Sequence, residues 1–123
     1  MRLTLVVSAD SEEEIAAALW GMLAMNLHIM NRNWPSIYAS GIRYRREPPG
    51  TEVWQTAGVL LQTMLGDCED LAAYQAAYLR VSGIDPGAKI GLKRSSVGYH
   101  VIVLRSDGVV EDPSARLGMD GDG

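Results

Sequence analysis

The chain has 123 residues, a length typical of one compact domain, and 47% of them are hydrophobic, which is enough for a core. The net charge of −4 argues against bulk attraction to nucleic acid or to an anionic membrane. No apolar run approaches the roughly 18 residues of a membrane span. The single cysteine excludes an internal disulfide and a multi-thiolate zinc site, which suits a reducing, cytoplasmic compartment.

Residues 1–35 are predicted to form a strand followed by a helix. The apolar run at residues 3–7 is too short, and too soon followed by polar residues, to be a signal peptide. Ser11 opens a segment with capping-box spacing, after which apolar residues recur at helical intervals. Trp20 and the methionines of this helix are expected in the core, and His28 is expected to lie on its polar surface or to cap the helix.

Residues 41–46 alternate in the way a strand does. Ile42 and Tyr44 share one face, and Arg43 and Arg45 share the other. These arginines suit a solvated sheet face, with contacts to phosphate or to an acidic partner as the alternative.

A proline-rich break at residues 48–50 precedes the segment that carries the cysteine. Residues 51–65 are predicted to form a short helix or helical turn that includes Trp54. The next helix is predicted to begin near Cys68 and to end at Gly83, because glycine adopts the left-handed conformation that closes many helices.

Downstream of this helix the apolar period changes to two, which predicts strands. Residues 89–94 alternate, and residues 99–105 are apolar on both faces, so the second of these strands should be central in its sheet. A turn at residues 107–108 leads to a short third strand, which Pro113 ends because it cannot donate to the ladder.

Cys68 is a candidate nucleophile. A helix N-terminus and a nearby imidazolium, which His100 would supply, both lower the pKa of a thiol. Asp67, Glu69 and Asp70 act in the opposite direction, because like charge disfavours a thiolate. These acids suit an N-cap and a first helical turn. A calcium site formed by the three carboxylates is the alternative.

The hairpin loop decides whether His100 and Asp112 can meet. A two-residue loop would send their side chains to opposite faces of the sheet. A three-residue loop, with Gly108 left-handed and Arg105 paired with Val109, would place them on one face as diagonal neighbours, about 7–8 Å apart at the backbone. We predict the three-residue loop or an equivalent bulge.

Several short motifs, in this order, resemble those of the transglutaminase-like cysteine proteinase superfamily. Within it, the chain is most similar to bacterial and phage proteins that carry a Gly-Asp-Cys-Glu-Asp sequence. The motifs are Gly66-Asp67-Cys68-Glu69-Asp70-Leu71-Ala72, Gly83-Ile84, Tyr99-His100-Val101, Asp107-Gly108 and Asp112-Pro113-Ser114. Trp54 occupies a position upstream of the cysteine where such proteins often have a tryptophan.

The resemblance implies an α+β fold with a papain-like or transglutaminase-like core. In it, a helix that starts at the cysteine packs on an antiparallel sheet. Cys68 would attack an acyl carbon, His100 would shuttle the proton and Asp112 would orient the imidazole. The backbone N–H of Cys68 would donate to the oxyanion. The side-chain candidates for a second oxyanion donor are Trp54, Gln55 and Gln62.

A single domain over residues 1–123 is expected, with a catalytic core at about residues 50–115 and a frayed tail at 118–123. The function implied is a thiol hydrolase of peptide or amide bonds. Animal transglutaminases are far longer and have Gln and Trp beside the cysteine, where this chain has Asp67 and Glu69. Both differences favour hydrolysis, and acyl transfer to an amine is the alternative.

A further alternative is a non-catalytic phage or virion interaction module that retains the fold. The expected partner is a protein or peptide substrate, or a phage structural or assembly protein, with no membrane and no nucleic acid. No cofactor is expected apart from the calcium alternative. A phage-encoded protein would act in the host cytoplasm or in the virion.

Overall fold

A computed structural model describes most of the chain. Its described residues form four α-helices, seven short strands and one 3₁₀ turn, which makes this a small α+β protein. The described ranges are 4–6, 12–46, 53–95 and 98–119. The predictions for Ser11, for the break at residues 48–50 and for most of the tail fall outside these ranges.

The helices are α1 (Glu12–Ile29), α2 (Ala57–Thr63), α3 (Cys68–Ser82) and α4 (Pro113–Arg116), and the 3₁₀ turn is Ile37–Ala39. The strands are β1 (Thr4–Val6), β2 (Arg43–Tyr44), β3 (Val53–Gln55), β4 (Leu65–Gly66), β5 (Lys89–Ser95), β6 (Gly98–Leu104) and β7 (Val110–Glu111). Strands β5, β6 and β7 form an antiparallel sheet, β1 pairs antiparallel with β3, and β2 pairs parallel with β4.

Helix α1 confirms the predicted helix and corrects its buried face. Met22 and Met30 are buried as expected, Met25 is only partly buried, and His28 is exposed. The prediction that Trp20 lies in the core is wrong, because its side chain is 60% exposed and lies under the guanidinium of Arg80, 5.7 Å from the ring centroid. α1 is apolar around much of its circumference, and only part of that surface can pack against its neighbours.

The prediction of a helix over residues 51–65 is only partly right. Val53–Gln55 is strand β3, in which Trp54 lies opposite Leu5 of β1. The helix α2 begins later, at Ala57. This pairing joins segments that are far apart in sequence, and long-range pairing overrides local preference.

Strands β2 and β4 bring residues 41–46 beside the start of α3. Tyr44 lies opposite Gly66 in a parallel pair that is separate from the antiparallel sheet β5-β6-β7, on which α3 packs as predicted. Ile42 is fully buried and Arg43 is exposed, as the alternation predicts. A Cβ atom at Gly66 would lie 2.7 Å from Cδ1 of Leu60, so the strand approaches α2 more closely than a side chain would allow.

Helix α3 begins and ends at the predicted signals. Asp67 is its N-cap and forms a capping box with Asp70. Gly83 closes the helix with a φ of 82°. Most of α3 is buried, and it packs against α1 and β6. Cys68 is therefore held at the first turn of the helix at the centre of the fold.

Strand β6 is the central strand of its sheet, which confirms the prediction. Val101 and Val103 belong to the hydrophobic core, and their cross-strand neighbours Leu92 and Ile90 pack against it. These four side chains share one face of the sheet. Residues at the alternate positions lie on the opposite face.

The hairpin between β6 and β7 has the predicted three-residue loop. The N–H of Arg105 donates to the carbonyl of Val109 at 2.9 Å, and Gly108 has a φ of 90°. The strand ends as predicted before Pro113, which opens the unpredicted helix α4 with Asp112 as its N-cap.

Candidate active site

His100 and Asp112 meet on one face of the sheet. Nε2 of His100 lies 2.9 Å from Oδ2 of Asp112. The other carboxylate oxygen of Asp112 accepts a hydrogen bond from the N–H of Ala115 at 3.3 Å. The register pairs Val103 with Glu111, so Asp112 is the diagonal neighbour of His100, as the three-residue loop requires. The hairpin and the start of α4 together hold the carboxylate against the imidazole.

The contact with Asp112 defines the chemistry of the His100 ring. An ionised carboxylate only accepts hydrogen bonds, so Nε2 carries the proton in the neutral ring. Nδ1 then holds the lone pair and can accept a proton. Because His100 is only 7% exposed, few solvent contacts compete for this nitrogen.

Cys68 lies against the neighbouring segment of β6. The backbone N–H of Val101, the residue after His100, is a hydrogen-bond partner of its sulfur. The thiol donates to Oε2 of Glu69 at 3.2 Å. Among the described residues no hydrogen bond joins the thiol to His100. The structure thus pairs His100 with Asp112 and places the thiol beside the next residue of β6.

Burial and the neighbouring acids determine the direction in which the pKa of Cys68 departs from its ordinary value. Burial raises the pKa of the thiol, and the charges of Glu69 and Asp67 raise it further. The backbone N–H of Val101 lowers the same pKa by less. The pKa therefore lies well above that of an ordinary cysteine, and the thiol is protonated in this arrangement.

Glu69 is itself perturbed. It is 6% exposed, and burial, followed by the charges of Asp67 and Asp70, raises its pKa to about 8. At neutral pH the carboxyl therefore holds a proton. Its hydrogen bond to Cys68 couples the two protons at the first turn of α3.

Two of the predicted oxyanion donors are already engaged. The N–H of Cys68 donates to Oδ1 of Asp67 at 2.8 Å. The side-chain amide of Gln55 donates to the carbonyl of Leu65 at 2.8 Å and accepts from Thr63 Oγ1 at 2.6 Å. Neither group is free for an oxyanion without a rearrangement.

The other two candidates differ in burial. Gln62 is exposed on α2. Trp54 is 3% exposed, and its indole N–H has no hydrogen-bond partner among the described residues. A buried donor without a partner is costly, so Trp54 is the candidate that an added acceptor would satisfy.

The residues of the calcium alternative do not form one group. A ligand atom from each of Asp67, Cys68 and Glu69 lies within 4.8 Å of the other two, but Asp70 does not belong to this cluster. The carboxylate of Asp70 instead accepts hydrogen bonds from the backbone N–H groups of Gln55 at 2.7 Å and of Asp67 at 3.2 Å. A thiol is a soft ligand, and calcium prefers six or more oxygens, so this cluster does not suit calcium.

Sequence reasoning missed Tyr44 as a neighbour of the site. Its hydroxyl is a hydrogen-bond partner of the Asp67 side chain. Burial, followed by the charges of Asp67 and Cys68, raises the pKa of Tyr44 to about 12. Only the parallel pairing of β2 with β4 places it there, and the sequence carries no local signal for that pairing.

It also missed a polar network on the opposite face of the hairpin. The Arg105 guanidinium donates to Oε1 of Glu111 at 2.6 and 2.8 Å. The Tyr38 hydroxyl donates to Oε2 of Glu111 at 2.5 Å. Arg116 stacks over the Tyr38 ring, 3.8 Å from its centroid. The network fixes β7 against β6 and the 3₁₀ turn.

Comparison with known proteins finds no matching family model, no matching curated protein and no matching solved structure. Among the described residues, no helix combines the length and the apolar character needed to cross a membrane.

Proposed function

We propose that this protein is a thiol hydrolase of peptide or amide bonds, with Cys68, His100 and Asp112 as its catalytic triad. We also propose that it belongs to the transglutaminase-like superfamily and has a papain-like core. The observation that carries the proposal is the 2.9 Å contact between His100 Nε2 and Asp112 Oδ2. It leaves Nδ1 able to accept the proton of a thiol that starts a helix beside the same strand.

The chemical steps follow from these roles. Nδ1 of His100 takes the thiol proton while the sulfur of Cys68 bonds to the acyl carbon. The carbon–nitrogen bond then breaks, and the departing amine takes the proton from the imidazolium. Water then attacks the acyl carbon while His100 accepts a proton from that water. The carbon–sulfur bond breaks, the imidazolium returns the proton to the sulfur of Cys68, and the acid is released. Asp112 stabilises the imidazolium in both halves.

The resting contacts must change before the first step. In the resting structure the Cys68 thiol donates a hydrogen bond to Glu69. The proposed first step therefore requires the Cys68 side chain to turn toward His100. Substrate binding supplies an acyl oxygen, for which the unpartnered indole N–H of Trp54 is the proposed donor.

The test is the rate at which iodoacetamide alkylates Cys68 across pH, in the unmodified protein and in two histidine variants. We expect His100→Gln to slow alkylation at neutral pH by about tenfold or more, because the imidazole no longer takes the thiol proton. His28→Gln is the matched control. It removes the exposed histidine of α1 and should leave the rate unchanged.

Hydrolysis itself is tested by incubating the protein with a peptide library and searching for an acyl adduct on Cys68 by mass spectrometry. Asp112→Asn should reduce product formation, whereas Asp107→Asn at the exposed tip of the hairpin should not. Equal alkylation rates in both histidine variants, together with no adduct, would refute the triad.

One observation favours a second candidate, a non-catalytic interaction module. Burial and the neighbouring acids raise the pKa of Cys68, and its hydrogen bond goes to Glu69. A protein of this kind would keep its biological phenotype in the Cys68→Ala variant. Loss of the phenotype in that variant, with its fold intact by circular dichroism, would support the hydrolase.

A further inference from the structure

The face of the three-stranded sheet that carries His100 and Asp112 also carries side chains of β5 and further residues of β6 and β7. The pairing aligns Lys89 with Leu104 and Val110, Gly91 with Ile102, and Lys93 with His100. Side chains at these positions share a face, since residues two apart on a strand point the same way. We call this the lysine face. It lies opposite the face whose valines, Val101 and Val103, belong to the core.

The lysine face exposes apolar side chains beside cations. Leu104 is 37% exposed and Val110 is 54% exposed, and both lie in the same cross-strand row as Lys89. At Gly91 there is no side chain, and a Cβ there would lie 2.9 Å from Leu104, so Leu104 leans over the glycine. The exposed apolar surface therefore lies in the row of Lys89, and from there the Leu104 side chain extends over Gly91, between the two lysines of β5. Ile102, opposite Gly91, is buried.

The charges of this face are unbalanced. Lys89 and Lys93 are exposed and form no ion pair within the described part of the chain. Asp112, the acid on the β7 side of this face, is already paired with His100. In a protein of net charge −4, the two lysines form a local cationic edge that complements an acidic ligand.

The spacing of the lysines specifies the ligand further. They lie four residues apart on one strand, which corresponds to about 13 Å. An extended peptide repeats over the same distance, so side chains at i, i+2 and i+4 point to one side. Acids at i and i+4 would meet the lysines, and an apolar residue at i+2 would contact the Leu104 side chain, which lies over Gly91 between them.

We propose that the lysine face binds an extended polypeptide segment of a partner protein, with acidic residues at i and i+4 and an apolar residue between them. This inference goes beyond the proposed hydrolase, because binding here requires no reaction at Cys68. Lysines on an edge strand also discourage strands from pairing with other copies. That role alone would give no selectivity for an acidic peptide.

The experiment measures fluorescence anisotropy of labelled peptides with the Cys68→Ala variant, so that turnover cannot affect binding. The probes have an Asp-Ser-Leu-Ser-Asp core, its charge-inverted Lys-Ser-Leu-Ser-Lys counterpart, and a third peptide with the two acids adjacent. We expect selective binding of the first peptide. Lys93→Glu should weaken it by about tenfold, since attraction is replaced by repulsion.

Matched controls separate this face from general surface effects. Arg32→Glu makes the same charge change at an exposed site outside the face and should leave binding unchanged. Val110→Ser should weaken binding, whereas Ile84→Ser, at a side chain 59% exposed elsewhere, should not. Equal binding of the acidic and inverted peptides, or binding that survives Lys93→Glu, would overturn the inference. The inference would also be overturned if no peptide bound and the protein instead self-associated in a way that Val110→Ser abolished.

Discussion

Glu69 controls the proton of Cys68 more directly than any other side chain in the described structure. Its carboxyl oxygen lies 3.2 Å from the sulfur, and both groups are buried. When Glu69 is neutral it is compatible with a thiolate, and when it ionises the two negative charges repel. The pKa of about 8 for Glu69 places this change just above neutral pH.

Glu69→Gln should therefore change the pH profile of Cys68 alkylation. Below pH 8 the variant and the unmodified protein should react at similar rates, because Glu69 is already protonated there. Above pH 8 the variant should react at least about tenfold faster, since the carboxylate no longer opposes ionisation of the thiol. Iodoacetamide kinetics followed by mass spectrometry give both rates.

Glu13→Gln is the control, because Glu13 is exposed on α1 and is remote in sequence from the thiol. Its profile should match that of the unmodified protein. If the two variants behaved alike above pH 8, Glu69 would have no control over the thiol proton.

At the scale of elements, the β6–β7 hairpin determines whether His100 and Asp112 can meet in the proposed triad. Gly108 turns the chain in the left-handed region, and the Arg105–Val109 pair closes the loop. On the opposite face Glu111 binds Arg105 and Tyr38. The loop and the network both fix the register that brings Asp112 to His100.

Gly108→Val should destabilise the protein by about 1–2 kcal/mol, because a β-branched residue disfavours the left-handed conformation. Gly108→Asn should cost less, because asparagine tolerates that region. Urea unfolding measures both. A Cβ atom at Gly108 would have no neighbour within 4 Å, so a clash of that atom does not contribute to the difference. Equal stability of the two variants would contradict it.

Signals confined to a few residues were predicted well. The N-cap at Asp67, the glycine that ends α3 and the three-residue loop follow from rules that act within about six residues. The contact between His100 and Asp112 was predictable for the same reason, because one short loop determines it.

Features that depend on distant pairing were not predictable. Trp54 lies in a strand only because β1 pairs with β3, and Tyr44 approaches the thiol only because β2 pairs with β4. The exposure of Trp20 depends on which part of the apolar surface of α1 is covered by α3. Asn26 is fully buried, and its Oδ1 accepts a hydrogen bond of 2.8 Å from the N–H of Ala57, a residue far away in sequence.

The whole molecule should lose stability as the pH rises, owing to Glu69. Its pKa is raised in the folded state from an ordinary 4.5 to about 8. The folded protein therefore holds a proton that the unfolded chain releases. The corresponding stabilisation is fully present below pH 4.5 and is lost as the pH rises through 8.

The loss should be on the order of a few kcal/mol between pH 5 and pH 9. Urea unfolding across this interval measures it. Glu69→Gln should flatten the dependence, whereas Glu13→Gln should preserve it. A slope that persists in Glu69→Gln would assign the effect to other groups.

The alternation of side chains along β6 and β7 makes the His100–Asp112 pair sensitive to the parity of the strand segments between them. One residue inserted in β6 or β7 between the closing Arg105–Val109 pair and His100 or Asp112, without a compensating bulge, would turn one of the two side chains to the opposite face of the sheet. Two inserted residues would restore it. A residue inserted in the loop beyond that pair leaves both strands unchanged, so functional relatives of this protein should vary freely in loop length but should differ in strand length on either side of the pair by even numbers.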